Sequence, residues 1–281
     1  MEQHLVEIRD EQRHSWDKFS AGWKKWDTLV LDWLAPVGDE LIRSVVLRED
    51  SRVLDVASGT GEPGLTVARL VPKGTVTMTD LADRMLAVAE ENAARRGIAN
   101  IETRQCDVGA LPFDDATFDA VTCRFGLMFF PDLMMGLKEM MRVAKPGARI
   151  SCAVWGVPAK NAWATTMMST IAAHVAVPAP SPDKPGLFRC AAPGSTAGLF
   201  REAGLKNVVE AEVVGDLQFQ SPEEYWEMLS EVAAPVAAGL SKADASTRAA
   251  IRSAVIRLAA QTANDGTARF PWLAPVVTGE K

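Results

Sequence analysis

Cysteine is sparse in this sequence, and the four present (Cys106, Cys123, Cys152 and Cys190) are far apart with no CxxC pair. That spacing argues against a zinc site or disulfide scaffold, predicts no metal, and fits reduced thiols in the cytoplasm. There is no long apolar run either. The longest stretch without Lys, Arg, Asp or Glu, Asn161–Pro182, contains His174, Pro178, Pro180 and several Ser and Thr, so no membrane span is expected. Basic excess is missing: 30 Lys and Arg face 36 Asp and Glu, for a net charge of −6, which disfavours a nucleic-acid surface. Met1–Trp16 is dense in charge and has no apolar core, so no signal peptide is expected. Repeats and low-complexity tracts are absent. What remains is 281 residues, 48% hydrophobic and 23% charged, enough for one large or two modest folded domains.

From Val37 to Trp155 short β-rich runs alternate with helical stretches. The runs are Arg52–Ser58, Thr75–Asp80, Ile101–Asp107, Phe118–Phe125 and Arg149–Trp155, and helical patterns occupy Pro63–Leu70, Ala82–Arg96 and Pro131–Val143. This order predicts an α/β fold, a doubly wound and mostly parallel sheet covered on both faces. Met134, Met135, Met140 and Met141 in the third helix read as packing. Beyond the core, a helix over Asn161–Val177, a helix over Thr196–Ala203 stopped by Gly204, a strand over Val208–Phe219, mostly helix over Pro222–Thr262 and a final strand over Phe270–Thr278 are expected. The predicted organisation is therefore an N-terminal aromatic segment (1–36), a core (37–157), a helical insert (158–194), a core helix and strand (195–220), a second insert (221–267) and a closing strand (268–281). Each insert is either extra core or a cap, because ligands bind outside the carboxyl ends of the strands in such sheets.

Trp16, Phe19, Trp23, Trp26, Val30 and Trp33 recur at three- and four-residue spacing on one helix face. Their own domain or a second copy of the chain, as in a homodimer, has to cover that face. Part of it, Trp23 included, could also lid a ligand, and Gly22 could mark a break between two short helices.

The most informative run is Val53–Gly64, VLDVASGTGEPG, in which a strand enters a glycine turn that opens into a helix. Gly59 and Gly61 allow positive φ and close backbone approach, and the helix start suits an anionic group. Gly59, Gly61 and Gly64, with Asp80 ending the next strand, also match the dinucleotide fingerprint of an NAD-dependent oxidoreductase. Asp55 separates the two. Four residues before Gly59, its carboxylate is expected to point into the same cavity, where it would repel a diphosphate and attract an ammonium. S-adenosylmethionine (SAM) carries such an ammonium. Asp80 is placed to accept its ribose hydroxyls and Asp107 its adenine amine.

These residues resemble a class I SAM-dependent methyltransferase of the ubiquinone/menaquinone-biosynthesis type. The likeness rests on Leu54–Gly61, on Asp80 and Met85, and on Cys106-Asp107 leading to Leu111-Pro112-Phe113. Phe118–Val121 leading to Phe125-Gly126-Leu127, and Arg142–Gly147, complete it. It covers Val37–Trp155, and more weakly the two late strands. It implies a Rossmann-like sheet of seven strands with an antiparallel last strand. Asp55, Ala57, Ser58, Gly59 and Gly61 would hold the methionine end of SAM and Asp80 its ribose. Leu81 and Met85 would face the adenine, with Cys106, Asp107 and Val108 at its edge. Arg124 and Phe125 would line the channel at the transferred methyl. Arg124 stands where many relatives carry a small or neutral residue, so it either meets an acidic substrate or pairs with a nearby carboxylate.

Methyl transfer from a sulfonium needs positioning and exclusion of water more than a fixed catalytic motif. The candidate bases are His14 and His174, each more simply read as structural or exposed. Tyr225 and Trp226 read as core. The expected function is transfer of a methyl group to a small, aromatic or moderately hydrophobic molecule, at oxygen or carbon. A SAM-binding protein without methyl transfer is the alternative from another class.

Overall fold

The computed structural model describes residues 3–177, 181, 184–264 and 266–281. Positions 178–180 and 182–183, within the expected first insert, lie outside the described residues.

Seven main strands form one sheet: β1 (Arg52–Val56), β2 (Thr75–Asp80), β3 (Ile101–Gln105), β4 (Phe118–Arg124), β5 (Ala144–Ala153), β6 (Lys206–Phe219) and β7 (Thr267–Glu280). Their order is β3-β2-β1-β4-β5-β7-β6. The first five are parallel neighbours, and β7 runs antiparallel between β5 and β6. The two-residue strand Ala263–Asn264 folds back onto the start of β7. This is the fold class that the alternation implied.

Alternation along the central strands explains the two-faced core. Val53 joins Val76, Met78 and Ala120 in one apolar cluster, while Leu54 and Val56 join Val121, Cys123 and Ile150 in a larger one. Strands covered on both faces need apolar residues at every position, and four of the five in β1 are buried. The covering helices are α1 (Gln3–Lys25), α2 (Asp27–Ser44), α3 (Gly64–Leu70), α4 (Asp83–Arg95), α5 (Leu133–Val143), α6 (Ala162–Ala172), α7 (Ser195–Ala203), α8 (Pro222–Val232), α9 (Ala234–Leu240) and α10 (Ala245–Gln261). Their ends follow side-chain chemistry. Asp132, Ser221 and Asp244 accept N–H groups of the first turns of α5, α8 and α10.

Several boundaries differ from expectation. β1 stops at Val56 because Ala57 already has φ 53°. β5 begins at Ala144, so Lys145–Gly147 belong to it and Trp155 lies beyond its end. α6 ends at Ala172, five residues short of Val177. The aromatic segment breaks at Trp26, not at Gly22, and α2 continues through Pro36 into the expected core. Gly22 stays helical because α1 crosses the carbonyl of Glu231, at the end of α8, too closely for a side chain. The aromatic face is covered within the chain: Val30 and Trp33 are buried, Trp16 meets the edge of Phe129 (5.1 Å), and the Trp23 Nε1–H donates to the Val232 carbonyl (3.2 Å). It therefore lends no weight to a dimer. Tyr225 is core, stacked on Phe270 at 4.1 Å with its hydroxyl donating to the Trp163 carbonyl.

Candidate active site

The parallel strands deliver their carboxyl ends to one cavity of about 1540 Å³ including its mouth.

One end is built by the loops after β1, β2 and β3. Gly59 (φ 55°) and Gly61 (φ 113°) fold the first loop back on itself, and the Gly61 N–H donates to the Ser58 carbonyl. A Cβ on Gly59 would meet no atom within 4 Å, so the backbone angle, not crowding, calls for glycine there. Asp80 locks this loop to β2. One carboxylate oxygen accepts the Gly59 N–H and the other the Ala82 N–H, both at 2.9 Å. Burial raises its pKa, and those two N–H groups oppose the rise. Both oxygens keep spare acceptor capacity on the cavity wall. Asp107 is more exposed to demand. Its Oδ1 accepts the Gly109 N–H, whereas Oδ2 is buried without a hydrogen-bond partner, its nearest cation being Arg9 of α1 at 4.0 Å. An orphaned buried carboxylate oxygen beside a cavity is where a ligand donor is missing. Leu81, Met85 and Val108 supply apolar walls between the two acids, and Cys106, its thiol pushed up to about 11 by burial, stays protonated.

The opposite end is aromatic. Phe125, at φ 60°, stacks on Trp155 with centroids 4.1 Å apart and planes 13° from parallel. Trp33 and Trp163 pack on Trp155 at 5.5 and 4.7 Å. Trp33 lines the cavity with its Nε1–H buried and without an acceptor. Phe129 and Phe130 continue this wall from the β4–α5 connection. Trp16 and Trp23 of α1 and Leu229–Val236 of α8 and α9 close it from above. The α1 contact is pinned by Glu231, which accepts from Lys25 Nζ (2.9 Å) and Trp26 Nε1 (2.7 Å).

Of the residues singled out by sequence, Trp23, Ala57, Ser58, Gly59, Asp80, Leu81, Met85, Cys106, Asp107, Val108, Arg124 and Phe125 line the cavity. Gly61 shapes the turn from behind it. Asp55 needs correction: it is fully buried beneath the loop, accepting from the Thr122 hydroxyl (2.6 Å) and the Gly64 N–H (3.1 Å). Burial, opposed chiefly by the Thr122 bond, pushes its pKa up to about 7. The carboxylate in the cavity wall is Glu62, bonded to Arg96 and to the Thr66 N–H. Its signal was its place between Gly61 and Pro63. His14 and His174 are both exposed and away from the cavity, and His174 Nδ1 lies 2.9 Å from the Thr170 carbonyl. Arg124 lies on the cavity wall but has no carboxylate within 4.0 Å and no hydrogen-bond acceptor among the described residues. Burial lowers its pKa, against the fields of Glu62, Asp55 and Asp27. Among the described residues no cluster of His, Cys, Asp or Glu could hold a metal ion.

Comparison with known proteins adds lineage to this geometry. The model of the ubiE/COQ5 methyltransferase family matches residues 37–169. The chain is 34% identical to the demethylmenaquinone methyltransferase of Bacillus subtilis (strain 168) over 186 residues, 60% of this chain and 77% of that protein. It is 34% identical to the demethylmenaquinone methyltransferase of Geobacillus kaustophilus over 155 residues, 53% of this chain and 64% of the relative. With the ubiquinone/menaquinone biosynthesis C-methyltransferase UbiE of Cellvibrio japonicus it shares 44% over 106 residues, 37% of this chain and 43% of the relative. The chain thus spans less than two thirds of the Geobacillus and Cellvibrio proteins. Among solved structures, the YcgJ protein of Bacillus subtilis superposes with a TM-score of 0.57 at 19% identity, covering 88% of this chain and 98% of that one. The (4+2)-cyclase SpnF gives 0.53 at 22%, covering 87% and 79%. At such identities the likeness speaks for the fold alone, and a cyclase among the neighbours shows that the fold is not tied to one reaction.

Proposed function

The chain belongs to the ubiE/COQ5 methyltransferase family of SAM-dependent enzymes, and from that premise we propose that it methylates a planar, quinol-type aromatic molecule. The observation that carries the reading is the division of one cavity into an acidic, loop-built end and an aromatic end lined by Phe125, Trp155, Trp163 and Trp33.

The acidic end fits the cofactor. Asp80 accepts the two ribose hydroxyls with the oxygen capacity left over from Gly59 and Ala82. Asp107 Oδ2, otherwise orphaned, accepts from the adenine amine while Leu81 and Met85 cover the ring. Glu62 takes the part first given to Asp55, facing the ammonium. When bound, SAM supplies an electrophilic methyl on a good leaving group. The protein's own task is then to orient the acceptor and exclude water. Stacked rings at the other end suit a flat acceptor, and the buried Trp33 N–H offers it one donor.

No His, Lys or Tyr lines the cavity among the described residues. With the carboxylates Glu62, Asp80 and Asp107 assigned to the cofactor, activation of the acceptor falls to its own acidity, which a hydroquinone has and an aliphatic alcohol lacks. The names of the relatives support a quinone-type acceptor, and that of the Cellvibrio protein, a C-methyltransferase, favours carbon as the methylated atom. No helix among the described residues is long and apolar enough to cross a membrane. Free thiols, three of them buried, suit a reducing compartment such as the cytoplasm.

Calorimetric titration with SAM and S-adenosylhomocysteine, followed by transfer of labelled methyl to reduced demethylnaphthoquinone, catechol and aliphatic alcohols, tests this. Binding of both cofactor forms with transfer only to the hydroquinone is expected. Tight binding without transfer to any ring acceptor would favour a non-enzymatic SAM-binding role.

A further inference from the structure

Arg124 is the one cationic side chain lining the cavity among the described residues, and the proposed function leaves it unused. Around it the charges do not balance. Asp27 is taken by Arg95 (2.9 Å) and bonded to Asn92, and Glu62 is taken by Arg96. Asp55 is held by the Thr122 hydroxyl and the Gly64 N–H. Three guanidinium groups thus face two partnered carboxylates and a third acid that lies sealed in the interior. The surplus cation is the one on the cavity wall. A guanidinium can donate five hydrogen bonds and is not neutralised at ordinary pH, so a half-buried one on a cavity wall with no acceptor among the described residues suits an anion from outside the chain.

Where that anion sits follows from topology. Arg124 ends β4 and has the same parity as Thr122, which bonds Asp55, and as Ala120, which packs with Val53 and Leu65. Its side chain is therefore on the α3 face of the sheet, beneath the Gly59–Gly61 turn, and not on the face of the Phe125–Trp155 stack. The acid whose field acts on it most strongly, Glu62, directly follows that turn.

We propose that Arg124 binds the α-carboxylate of the cofactor's methionine moiety, so that Glu62 and Arg124 together receive its zwitterionic head. This rests on the SAM reading above and assigns a cofactor-binding residue within it.

The test compares two thioether ligands that differ only in the carboxylate: S-adenosylhomocysteine and its decarboxylated analogue, S-adenosyl-3-thiopropylamine. Calorimetry on the wild-type chain should favour the first by about 10- to 100-fold, the scale of one charge-assisted bidentate contact. Arg124→Met should bind both equally, at the level of the weaker wild-type value, and Arg124→Lys should restore part of the preference. A wild-type chain that does not distinguish the two ligands overturns the proposal without any variant. So does an Arg124→Met protein that keeps the preference. Unchanged S-adenosylhomocysteine affinity with a raised acceptor KM would move Arg124 to the acceptor and also overturn it. Wild-type protein that binds neither ligand defeats the SAM reading itself, a separate outcome.

Discussion

Asp55→Asn distinguishes a carboxyl group that supports the turn from one that binds ligand. In the folded chain Asp55 keeps its proton up to about pH 7, against 3.8 for the free side chain. Between those values the folded state holds more protons than the unfolded state, so stability falls as pH rises through the window. At about 1.4 kcal/mol per pH unit the window amounts to about 4 kcal/mol as an upper limit. An amide at this position removes the titration while keeping the contacts. Its oxygen can accept the Gly64 N–H and its NH2 can donate to the Thr122 hydroxyl. Urea unfolding from about pH 4 to about pH 8 should show the variant level with the wild type at the acid end. It should be more stable by up to about 4 kcal/mol at the alkaline end. Other acids titrate in both proteins and cancel in the difference. S-adenosylhomocysteine affinity should change by less than about 1 kcal/mol, since the side chain does not reach the cavity. Parallel pH slopes in the two proteins, or a variant that no longer binds the ligand, would refute the reasoning.

Three further outcomes follow from the same geometry. Asp80→Ala removes a partner of two backbone N–H groups together with the assigned ribose acceptor, and should weaken S-adenosylhomocysteine binding by about 1–3 kcal/mol in calorimetry. Asp107→Ala should abolish discrimination between S-adenosylhomocysteine and its inosine analogue, which lacks the amine; a wild-type chain that never discriminates would remove Asp107 from the adenine edge. Gly126→Ala would bring a methyl group to 2.5 Å from the Ala57 Cβ and 2.8 Å from Cys123 Sγ, so thermal or urea unfolding should report a loss of about 1–3 kcal/mol.

Most of the sheet was legible because its signal is local. Val53, Leu54 and Val56 followed by a glycine turn identify a buried strand and the loop that it feeds, and β-rich runs bounded by turn residues mark the later parallel strands. The place of Asp80 and Asp107 on the cavity wall is legible for the same reason, since a residue at or just past the carboxyl end of a parallel strand reaches the crevice there. Asp55 was misread because side-chain direction inside a strand is decided by neighbours distant in sequence, here Thr122 across the β1–β4 pair. The helix break at Trp26 was hidden likewise. Gly22 reads as a breaker on propensity, but it serves the close crossing of α1 over Glu231, more than 200 residues away. Trp33 and Trp163 lie in helices whose aromatic residues look like ordinary core until Trp155 is seen between them.

The family match divides the lining of the cavity unevenly. It covers 37–169, and within it fall Glu62, Asp80, Asp107 and Arg124 at the acidic end and also Phe125, Trp155 and Trp163 at the aromatic end. Trp16, Trp23 and Trp33 precede it, and Leu229, Val232 and Val236 follow it, and these residues roof or wall the aromatic end. A cofactor asks the same contacts of every enzyme that uses it, whereas an acceptor asks for a pocket of its own shape. The family match therefore bears on the acidic end and on the Phe125–Trp155–Trp163 wall, and not on the residues that roof the aromatic end. That roof is held where α1 meets α8, by the Trp23–Val232 and Trp26–Glu231 contacts. Exchanging residues on that seam should alter the range of acceptors while S-adenosylhomocysteine affinity stays within about 1 kcal/mol. Concerted loss of both would mean that α1 is needed to form the cofactor end as well, through Arg9 and Asp107.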